Sequence, residues 1–572
     1  MLKRVREWSV CCLLLLIVST PPVWPAVAGA EEPEEPEPVV QAEEVVISAT
    51  KTPVPVTQVT SAVEVITAQD MKKQNIRHVA DALRLAQGLA VFSSGGPGTE
   101  VNARIRGGGS SQTLVLIDGA IVNSGTLGSY DFSNLTTDNI ERVEILRGAQ
   151  SMLWGSDAMG GVINIVTKRG EGPLTATGFM EYGSFATLRE GGTVSGKQGL
   201  VDYSLSLSRW DTSGFSAVNY RRGATERDSF RNWQGSGRIG VDLPRDGRLD
   251  FTMRWMNSDT QLDNVSATFP ADVYGSKMRS QQYVFSGRYE QPITGWWSQK
   301  LTLARSQEAS LFLPGTVQRS LVDGFISTPF GSPNETRVLS NRLEWQHNFQ
   351  VTRLLLLSAG YQFREQQGEN DTGLINRVLS SHAGFAQAQF NLWDRVFATA
   401  GVRHDSYNVF GNATTYRLTG GYYQKETDTK LRVGYSTGFR APSMNELYFP
   451  NFGNPNLGPE KNQSMDAGID QYFFSKQLKL SGGFFWNHYR NLIVTTFDPG
   501  FCAPFSTFGF CPQQLGEAST KGWEAGLTYT YSSDRPFLKG VVVQAQYTNT
   551  ITRDLETQAR VPRWPTDQRS AF

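Results

Sequence analysis

The chain has 572 residues, and its 54 lysines and arginines balance 54 aspartates and glutamates, so its formal net charge is zero. With this balance, no excess of basic residues points to binding of nucleic acid. Aromatic residues make up 11% of the chain and glycine occurs 56 times, which favours a strand-rich protein with many turns. The one continuous apolar run lies at the N-terminus, so helical membrane spans further along are excluded.

The first 30 residues have the features of a secretory signal peptide. Basic residues precede an apolar core at residues 10–18, and small residues at 26–30 suit a cleavage site. The exported chain keeps two cysteines, Cys502 and Cys511. Their short spacing in an oxidising compartment favours a disulfide over a metal site.

We assign residues 31–60 to an acidic, proline-rich tether. Residues 31–44 are too acidic and too often interrupted by proline to bury a core. An apolar, β-prone run at residues 45–47 follows directly. Taken alone it is an ordinary strand, but on an exposed tether it could add to the sheet edge of a partner through its backbone.

Residues 61–170 mix helix and strand patterns and predict an α+β domain. Thr67 or Asp70 can cap its first helix. Gly160 and Gly161 precede a β-branched strand, and paired glycines suit a backbone that packs too close to another for a Cβ. On these patterns alone, the segment is a small domain of unknown purpose.

From residue 174 onward the pattern has a period of two. Phe251 and Met253, for example, alternate with Asp250 and Arg254. Each run is about ten residues long, the length of a tilted transmembrane strand. Short turns alternate with long loops, and a soluble β-sandwich would not sustain such alternation to the end of the chain.

Four linked motifs lie in the predicted α+β domain: Ile105-Arg106-Gly107, Leu116-Ile117-Asp118-Gly119, residues 143–148 and residues 155–165. In order and spacing they resemble the plug domain of TonB-dependent outer-membrane receptors. Within that family, the plug and residues 441–460 most resemble the vitamin B12 receptor branch.

The resemblance implies an all-β transmembrane barrel at residues 171–572, with an N-terminal α+β plug domain, residues 61–170, inside its lumen. It places the protein in the outer membrane of a Gram-negative bacterium, in contact with outer-membrane lipid. It also implies active uptake energised by TonB and its inner-membrane complex. The run after the acidic tether resembles the Ton box, so the predicted TonB-binding residues are Glu44, Val45, Val46, Ile47, Ser48 and Ala49.

Two polar loops match the apices that face the ligand in the vitamin B12 receptor. For each residue, an ordinary surface loop is an equal alternative. The cargo that the resemblance implies is a corrinoid such as vitamin B12, with a ferric siderophore as the alternative. The predicted substrate-binding residues are Ser93, Ser94, Gly95, Gly96, Thr99, Asn123, Ser124, Thr126, Leu127 and Tyr130.

No catalytic residue, metal site or resident cofactor is predicted. Residues 434–438 match the G-x-S-x-G pattern of hydrolases but lie along a strand, without the strand–turn–helix elbow that the pattern needs. The five histidines show no ligand spacing. Asp259, Asp263 and Asp272 could gather a calcium ion in one extracellular loop, although a solvated acidic loop is the commoner outcome.

Two other functional classes fit less well. A passive porin needs neither a plug nor a Ton box, and an adhesin or enzyme needs a soluble module or a catalytic cluster. We further expect the barrel to be incomplete at the C-terminus, because only about 18 strand-like runs follow residue 174 where plugged transporters of this type use about 22. Phe572 does not end an alternating aromatic strand.

Overall fold

The structure is a computed structural model that describes most of the chain after residue 44. The predicted signal peptide, the acidic stretch 31–44 and Phe572 lie outside the described residues. The described residues are 45–218, 221, 224, 226–263, 271–320, 322, 326–327, 332–370, 376–532, 540–560 and 567–571.

The plug is built from nine strands, three short helices and two 3₁₀ turns at Val56–Gln58 and Ser110–Gln112. The helices are α1 Ala68–Lys73, α2 Val79–Arg84 and α3 Ser151–Trp154. The strands are β1 Val45–Val46, β2 Val54–Pro55, β3 Ala62–Thr67, β4 Leu89–Ser93, β5 Val101–Ile105, β6 Thr113–Ile117, β7 Ala120–Ile121, β8 Ile140–Arg147 and β9 Gly161–Thr167.

The centre of the plug is a five-stranded sheet in the order β3-β8-β9-β6-β7, in which only β6 and β9 run parallel. Because side chains alternate between the faces of a strand, β6 feeds two cores. Val115 and Ile117 enter the helix-side core with residues of α1 and α2. Leu114 and Leu116 enter the opposite core, the segment-side core, which includes Val46.

Local sequence signals explain two features of the plug. Thr67 caps α1 in a capping box, since its hydroxyl accepts from the Asp70 N–H while the Asp70 carboxylate accepts from the Thr67 N–H. At Gly161 a Cβ would lie 2.2 Å from the Leu146 carbonyl oxygen, so no larger residue fits between β8 and β9. Both features confirm the sequence patterns.

The remaining strands follow in chain order. A 3₁₀ turn spans Ser184–Ala186, and two short helices, α4 Met444–Tyr448 and α5 Pro499–Cys502, lie in loops. The strands are β10 Thr175–Gly183, β11 Thr187–Gln198, β12 Val201–Thr212, β13 Phe230–Leu243, β14 Gly247–Gln261, β15 Ala271–Tyr274, β16 Lys277–Thr294, β17 Trp297–Leu313, β18 Val317–Ser320, β19 Ile326–Ser327, β20 Asn334–Thr352, β21 Leu355–Asn370, β22 Asn376–Leu392, β23 Val396–Tyr407, β24 Gly411–Gln424, β25 Thr429–Arg440, β26 Glu460–Phe473, β27 Leu478–Phe497, β28 Phe510–Ser532, β29 Gly540–Asp554 and β30 Asp567–Ala571.

Eighteen of these strands form one antiparallel sheet in sequence order, from β10 to β30, and β15, β18 and β19 form a separate small sheet at the end that carries the long loops. The expected alternation is confirmed. On β14, Phe251 and Met253 are about half exposed on the outside, while Asp250 and Arg254 are buried toward the plug.

The first and last strands of the large sheet, β10 and β30, each pair with one neighbour among the described residues. In this part of the chain β10 pairs with β11 and β30 pairs with β29, with no further partner for either, so the expectation of additional strands stays a prediction. No helix among these residues is both long and apolar enough to cross a bilayer.

Candidate functional site

The N-terminal segment, residues 45–49, is docked on the plug. The backbone N–H groups of Ile47 and Ser48 donate to Oε2 of Glu144 at 3.3 and 3.0 Å. The Ser48 hydroxyl donates to the same oxygen at 2.6 Å. The predicted TonB-binding residues of this segment therefore share one buried acceptor on β8.

This docking corrects the expectation that the segment is exposed. Val46 and Ala49 are fully buried because they complete the segment-side core, and only Val45 remains largely exposed. Residues 45–60 therefore pack with the plug, before the boundary predicted at residue 61. Glu44, the first of the predicted TonB-binding residues, lies outside the described residues.

Glu144 is a functional candidate that the sequence analysis missed. Its side chain is fully buried, and it also accepts hydrogen bonds from Asn164 at 3.3 Å and from Arg142 at 2.9 Å. A buried carboxylate needs such donors, since burial without partners is costly. The available signal was a single carboxylate inside the apolar run of residues 143–146.

Three further side chains fix the carbonyl side of the segment and the residues after it. The indole N–H of Trp154 donates to the Ser48 carbonyl oxygen at 2.9 Å, and Arg417 of the barrel donates to that of Ala49 at 3.1 Å. Lys51 pairs with Glu344 of the barrel at 2.7 Å. The segment is thus held by both the plug and the barrel wall.

A cavity of about 640 Å³ lies beside the segment at the end of the barrel that carries the short turns. Ile47 and Ser48 line it from the plug, Asp246 lines it from the turn between β13 and β14, and Pro292 lines it from the end of β16. A partner approaching from this end therefore reaches the segment without crossing the plug.

The plug is fastened to the barrel by arginines from two of the motifs. The guanidinium of Arg106 makes two hydrogen bonds of 2.9 Å to the carboxylate of Glu524, and Arg147 makes a third of 3.0 Å. All three side chains are almost completely buried. The arginines that precede Gly107 and Gly148 thus share one barrel carboxylate.

The first apical loop, residues 93–99, faces the end of the barrel that carries the long loops. Ser93, Ser94 and Gly95 are exposed there, whereas Gly96 and Thr99 are buried. A Cβ on Gly95 would lie 2.9 Å from that of Ala217, so the loop rests against the loop that connects β12 and β13. Three of these five predicted substrate-binding residues therefore face solvent.

The second apical loop, residues 123–130, is mostly buried. The Asn123 amide accepts from the Val115 N–H and donates to two backbone carbonyl oxygens, so it braces the loop. Ser124, Thr126 and Tyr130 are also buried, and Leu127 alone of the predicted contacts is exposed. Sequence alone could not separate these bracing residues from exposed ones.

A barrel loop covers the second apical loop. The backbone N–H groups of Met444 and Asn445 donate to the carbonyl oxygens of Gly125 and Thr126 at 3.0 and 3.2 Å. The two apical loops consequently rest on different parts of the wall, the first near β13 and the second near α4.

Cys502 at the end of α5 and Cys511 at the start of β28 form a disulfide, as the sequence analysis expected for this pair. Phe501, Phe508 and Phe510 are strongly exposed around it. The long-loop end therefore carries a cross-linked segment with several exposed phenylalanines.

An acidic cluster lies in the neighbouring loops, but its members differ from the predicted set. Carboxylate oxygens of Glu226, Asp263 and Asp272 all lie within 4.8 Å of one another. Asp259 is excluded because it pairs with Arg279 on the outside of β14 and β16. Carboxylate oxygens within this distance could hold a calcium ion.

The cluster also shapes the loop that supports the first apical loop. Asp263 accepts a hydrogen bond of 2.8 Å from Ser216, and Asp228 accepts one of 2.6 Å from the Ala217 N–H. Burial and nearby carboxylates raise the pKa of Glu226 to about 8 and that of Asp228 to about 7. Carboxyl groups are therefore crowded at this point, and the crowding favours their protonated form.

The G-x-S-x-G pattern lies along β25, where Ser436 is buried beside the paired residues of β24 and β26. It forms no strand–turn–helix elbow, which agrees with the expectation that the match is accidental.

Comparisons with known proteins agree with this architecture. The sequence model for the TonB dependent receptor-like beta-barrel matches residues 209–568, and the model for the TonB-dependent receptor plug domain matches residues 55–162. The vitamin B12 transporter BtuB of Photobacterium profundum is 28% identical over 434 residues, which cover 74% of this chain and 66% of that protein. This chain thus spans slightly less than two thirds of that relative.

Two further similarities concern sequence and fold. The vitamin B12 transporter BtuB of Vibrio vulnificus is 26% identical over 493 residues, which cover 84% of this chain and 74% of that protein. The ferripyoverdine receptor of the Pseudomonas aeruginosa outer membrane superposes with a TM-score of 0.72 at 18% identity, covering 92% of this chain and 75% of that one. The predicted resemblance is confirmed: this protein belongs to the TonB-dependent receptor family and resides in the outer membrane of a Gram-negative bacterium.

Proposed function

We propose that the protein imports a large, scarce nutrient across the outer membrane, energised by TonB binding at residues 44–49. The observation that carries this proposal is the docking of residues 47 and 48 on Glu144. A β-prone segment held by hydrogen bonds at the short-turn end can be released and then pair with a partner strand through the same backbone groups. The outer membrane has no nucleotide pool, so energy must arrive mechanically.

A continuous set of contacts supports coupling between ligand and segment. The second apical loop bonds to the backbone of α4, and the Ala441 N–H just before that helix donates to the Ser156 hydroxyl at 2.9 Å. Ser156 follows α3, whose Trp154 binds the Ser48 carbonyl. A ligand that moves the loop around α4 would thus disturb the bond that holds Ser48. The continuity of these contacts supports coupling from the ligand loops to Ser48. It is tested by measuring whether ligand binding changes the release of residues 45–49.

We propose a corrinoid such as vitamin B12 as the cargo, with a ferric siderophore as the alternative. The sequence similarity to vitamin B12 transporters over most of the chain supports the corrinoid. The fold similarity to a ferripyoverdine receptor fits the alternative, but at 18% identity it carries no information on the ligand.

The test uses purified protein and whole cells. Titration calorimetry with cyanocobalamin and with several ferric siderophores should give submicromolar binding for the corrinoid alone. Labelled cyanocobalamin should bind to the surface of cells with or without TonB and enter only those that have it. Entry at equal rates in both would refute the energised mechanism, and tight binding of a ferric siderophore instead would replace the cargo.

A further inference from the structure

The outer wall of the barrel carries an apolar groove of about 740 Å³ that crosses β12 to β21. It is formed by two adjacent rows of outward-facing residues, read from the strand register. The lower row contains Ile239, Phe251, Gly287 and Leu303. The upper row contains Leu205, Gly237, Met253, Phe285, Arg305 and Asn341.

Two glycines make this surface concave. Gly237 and Gly287 face outward at points where their neighbours present large exposed side chains such as Leu205 and Phe251. A Cβ on Gly287 would meet the Phe251 ring at 3.6 Å, an ordinary contact, so the barrel itself does not require glycine there. The missing side chain leaves room for a hydrocarbon chain lying along the wall.

Aromatic residues show where the groove lies in the membrane. Trp255 and Tyr283 form the next row above it, and Trp297 lies at the short-turn end of β17. Tyr283 and Thr294, the β16 residue that pairs with Trp297, are 11 positions apart. At a tilt of roughly 40° and 3.3 Å per residue they span about 28 Å, close to the height of roughly 25 Å of the apolar band of such barrels. The groove therefore opens into the outer leaflet, just below the headgroups.

Arg305 is the unusual residue of this surface. It is exposed and makes no ion pair with any residue that the structure describes. Higher on the same wall, the exposed arginines Arg231, Arg279 and Arg337 each pair with a carboxylate. A guanidinium facing lipid close to the headgroup level extends toward that level and favours an anionic partner.

We propose that this groove binds one molecule of lipopolysaccharide, with an acyl chain of its lipid A in the groove and a lipid A phosphate on Arg305. The outward face of a transmembrane barrel is covered by lipid, and the lipid of this leaflet carries phosphates at the depth that the Arg305 side chain reaches. Arginine can donate two parallel hydrogen bonds to a phosphate, and the adjacent Asn341 amide adds another donor. Glu365 lies one strand beyond Asn341 in the same row and makes no ion pair with Arg305 among the described residues.

The experiment measures lipid A retention by native mass spectrometry. The full chain is placed in phosphatidylcholine nanodiscs that contain lipid A, and the bound lipid is counted after release. Wild type should retain one lipid A. Arg305→Gln removes the charged donor and Gly287→Leu fills the groove, and each should reduce retention about tenfold.

Two matched variants serve as controls. Gly384→Leu adds the same side chain at another outward glycine, where a Cβ would meet nothing within 4 Å. Arg231→Gln removes an exposed arginine that is already paired with Asp211. Both should retain lipid A as wild type does, and heat-dependent gel mobility should show that all four barrels are folded.

Three results would overturn the proposal. The first is equal retention in all variants. The second is undiminished retention of lipid A that lacks its phosphates. The third is equal retention of phosphatidylglycerol, which would mean that the groove accepts any anionic lipid.

Discussion

The hydroxyl of Ser48 donates a hydrogen bond of 2.6 Å to the carboxylate of Glu144, a residue 96 positions further along the chain. Neither group contacts solvent, since both side chains are completely buried. This bond joins the segment that we propose as the TonB-binding site to β8, an interior strand of the plug sheet. We expect this bond, together with those from Trp154 and Arg417, to determine how readily the segment is released.

Glu144→Gln is expected to loosen the segment. Hydrogen bonds to a charged acceptor contribute about 1.5–3 kcal/mol, and a neutral amide keeps only part of that, so release should become about tenfold more favourable. Labelling of Ile47→Cys with a membrane-impermeant maleimide, in purified protein, measures the release. Glu141→Gln, at a half-exposed position on the same strand, is the control. Identical labelling of both variants would show that Glu144 does not hold the segment.

Val46→Pro is expected to abolish uptake while surface binding of the ligand persists. Proline removes a backbone donor and cannot extend a strand pairing, so addition of a partner strand fails. Uptake and surface binding of labelled ligand are measured on the same cells. Val45→Thr keeps both the backbone donor and a β-branched residue at the exposed neighbouring position, so it should lose far less uptake than the proline variant. Wild-type uptake by the proline variant would remove residues 44–49 from the TonB site.

Deleting residues 94–98 is expected to weaken ligand binding and leave a folded barrel. The deletion removes exposed Ser94 and Gly95, while the bracing amide of Asn123 in the second apical loop stays in place. Calorimetry gives the affinity, and heat-dependent gel mobility reports the barrel. Leu127→Ser, at the exposed position of the second loop, is the comparison. Unchanged affinity in both would place recognition in the barrel loops.

Glu524→Gln is expected to loosen the plug. Arg106 and Arg147 would lose their shared counter-charge in a buried site, a change that typically costs about 3–5 kcal/mol. The plug should become sensitive to protease in purified protein, and cells should admit antibiotics that are too large for porins. Glu517→Gln, whose side chain is largely exposed, should change neither property. Full protease resistance of the Glu524 variant would assign plug retention to other contacts.

The acidic cluster gives a pH-dependent prediction. Carboxyls of an unfolded loop titrate near pH 4, whereas those of Glu226 and Asp228 have a pKa of about 8 and 7 in the folded loop. The folded loop thus binds more protons in that window, so its stability falls as the pH rises from about 4 to 8. Proteolysis of residues 213–229 in a chelator should be faster at pH 8 than at pH 5, and calcium should slow it at pH 8.

The control for that prediction is Glu226→Gln. Removing one crowded carboxylate should flatten the pH dependence and weaken the protection by calcium. Asp259→Asn alters a carboxylate that pairs with Arg279 outside the cluster and should leave both unchanged. Equal protection by calcium in wild type and in Glu226→Gln would exclude the cluster as a calcium site.

The barrel could be predicted from the sequence because lipid and lumen impose opposite polarity on alternate residues, as at Phe251 and Asp250. The helix cap at Thr67 and the close backbone packing at Gly161 could also be predicted, because both depend on local backbone requirements. It could not show that Val46 is buried, because that depends on Glu144 and Trp154, about a hundred residues away.

The apical loops and the acidic cluster show the same limit. A polar loop sequence does not reveal whether a side chain faces the ligand or braces its own backbone, as Asn123 does. Glu226 replaces Asp259 in the cluster because the loops after β12 and β14 fold together. The contact between these two loops arises only in the tertiary structure, so it cannot be predicted from the sequence of either loop.

The position of β3 at the edge of the plug sheet has a consequence for tension applied at the N-terminus. Withdrawal of residues 45–67 would remove one outer strand and leave β8, β9, β6 and β7 paired. The segment-side core would lose Val46, Ala49, Val59 and Val63, whereas the helix-side core would lose only Ile66. We therefore expect a pull on the N-terminus to extract residues 45–67 before it disrupts the rest of the plug sheet.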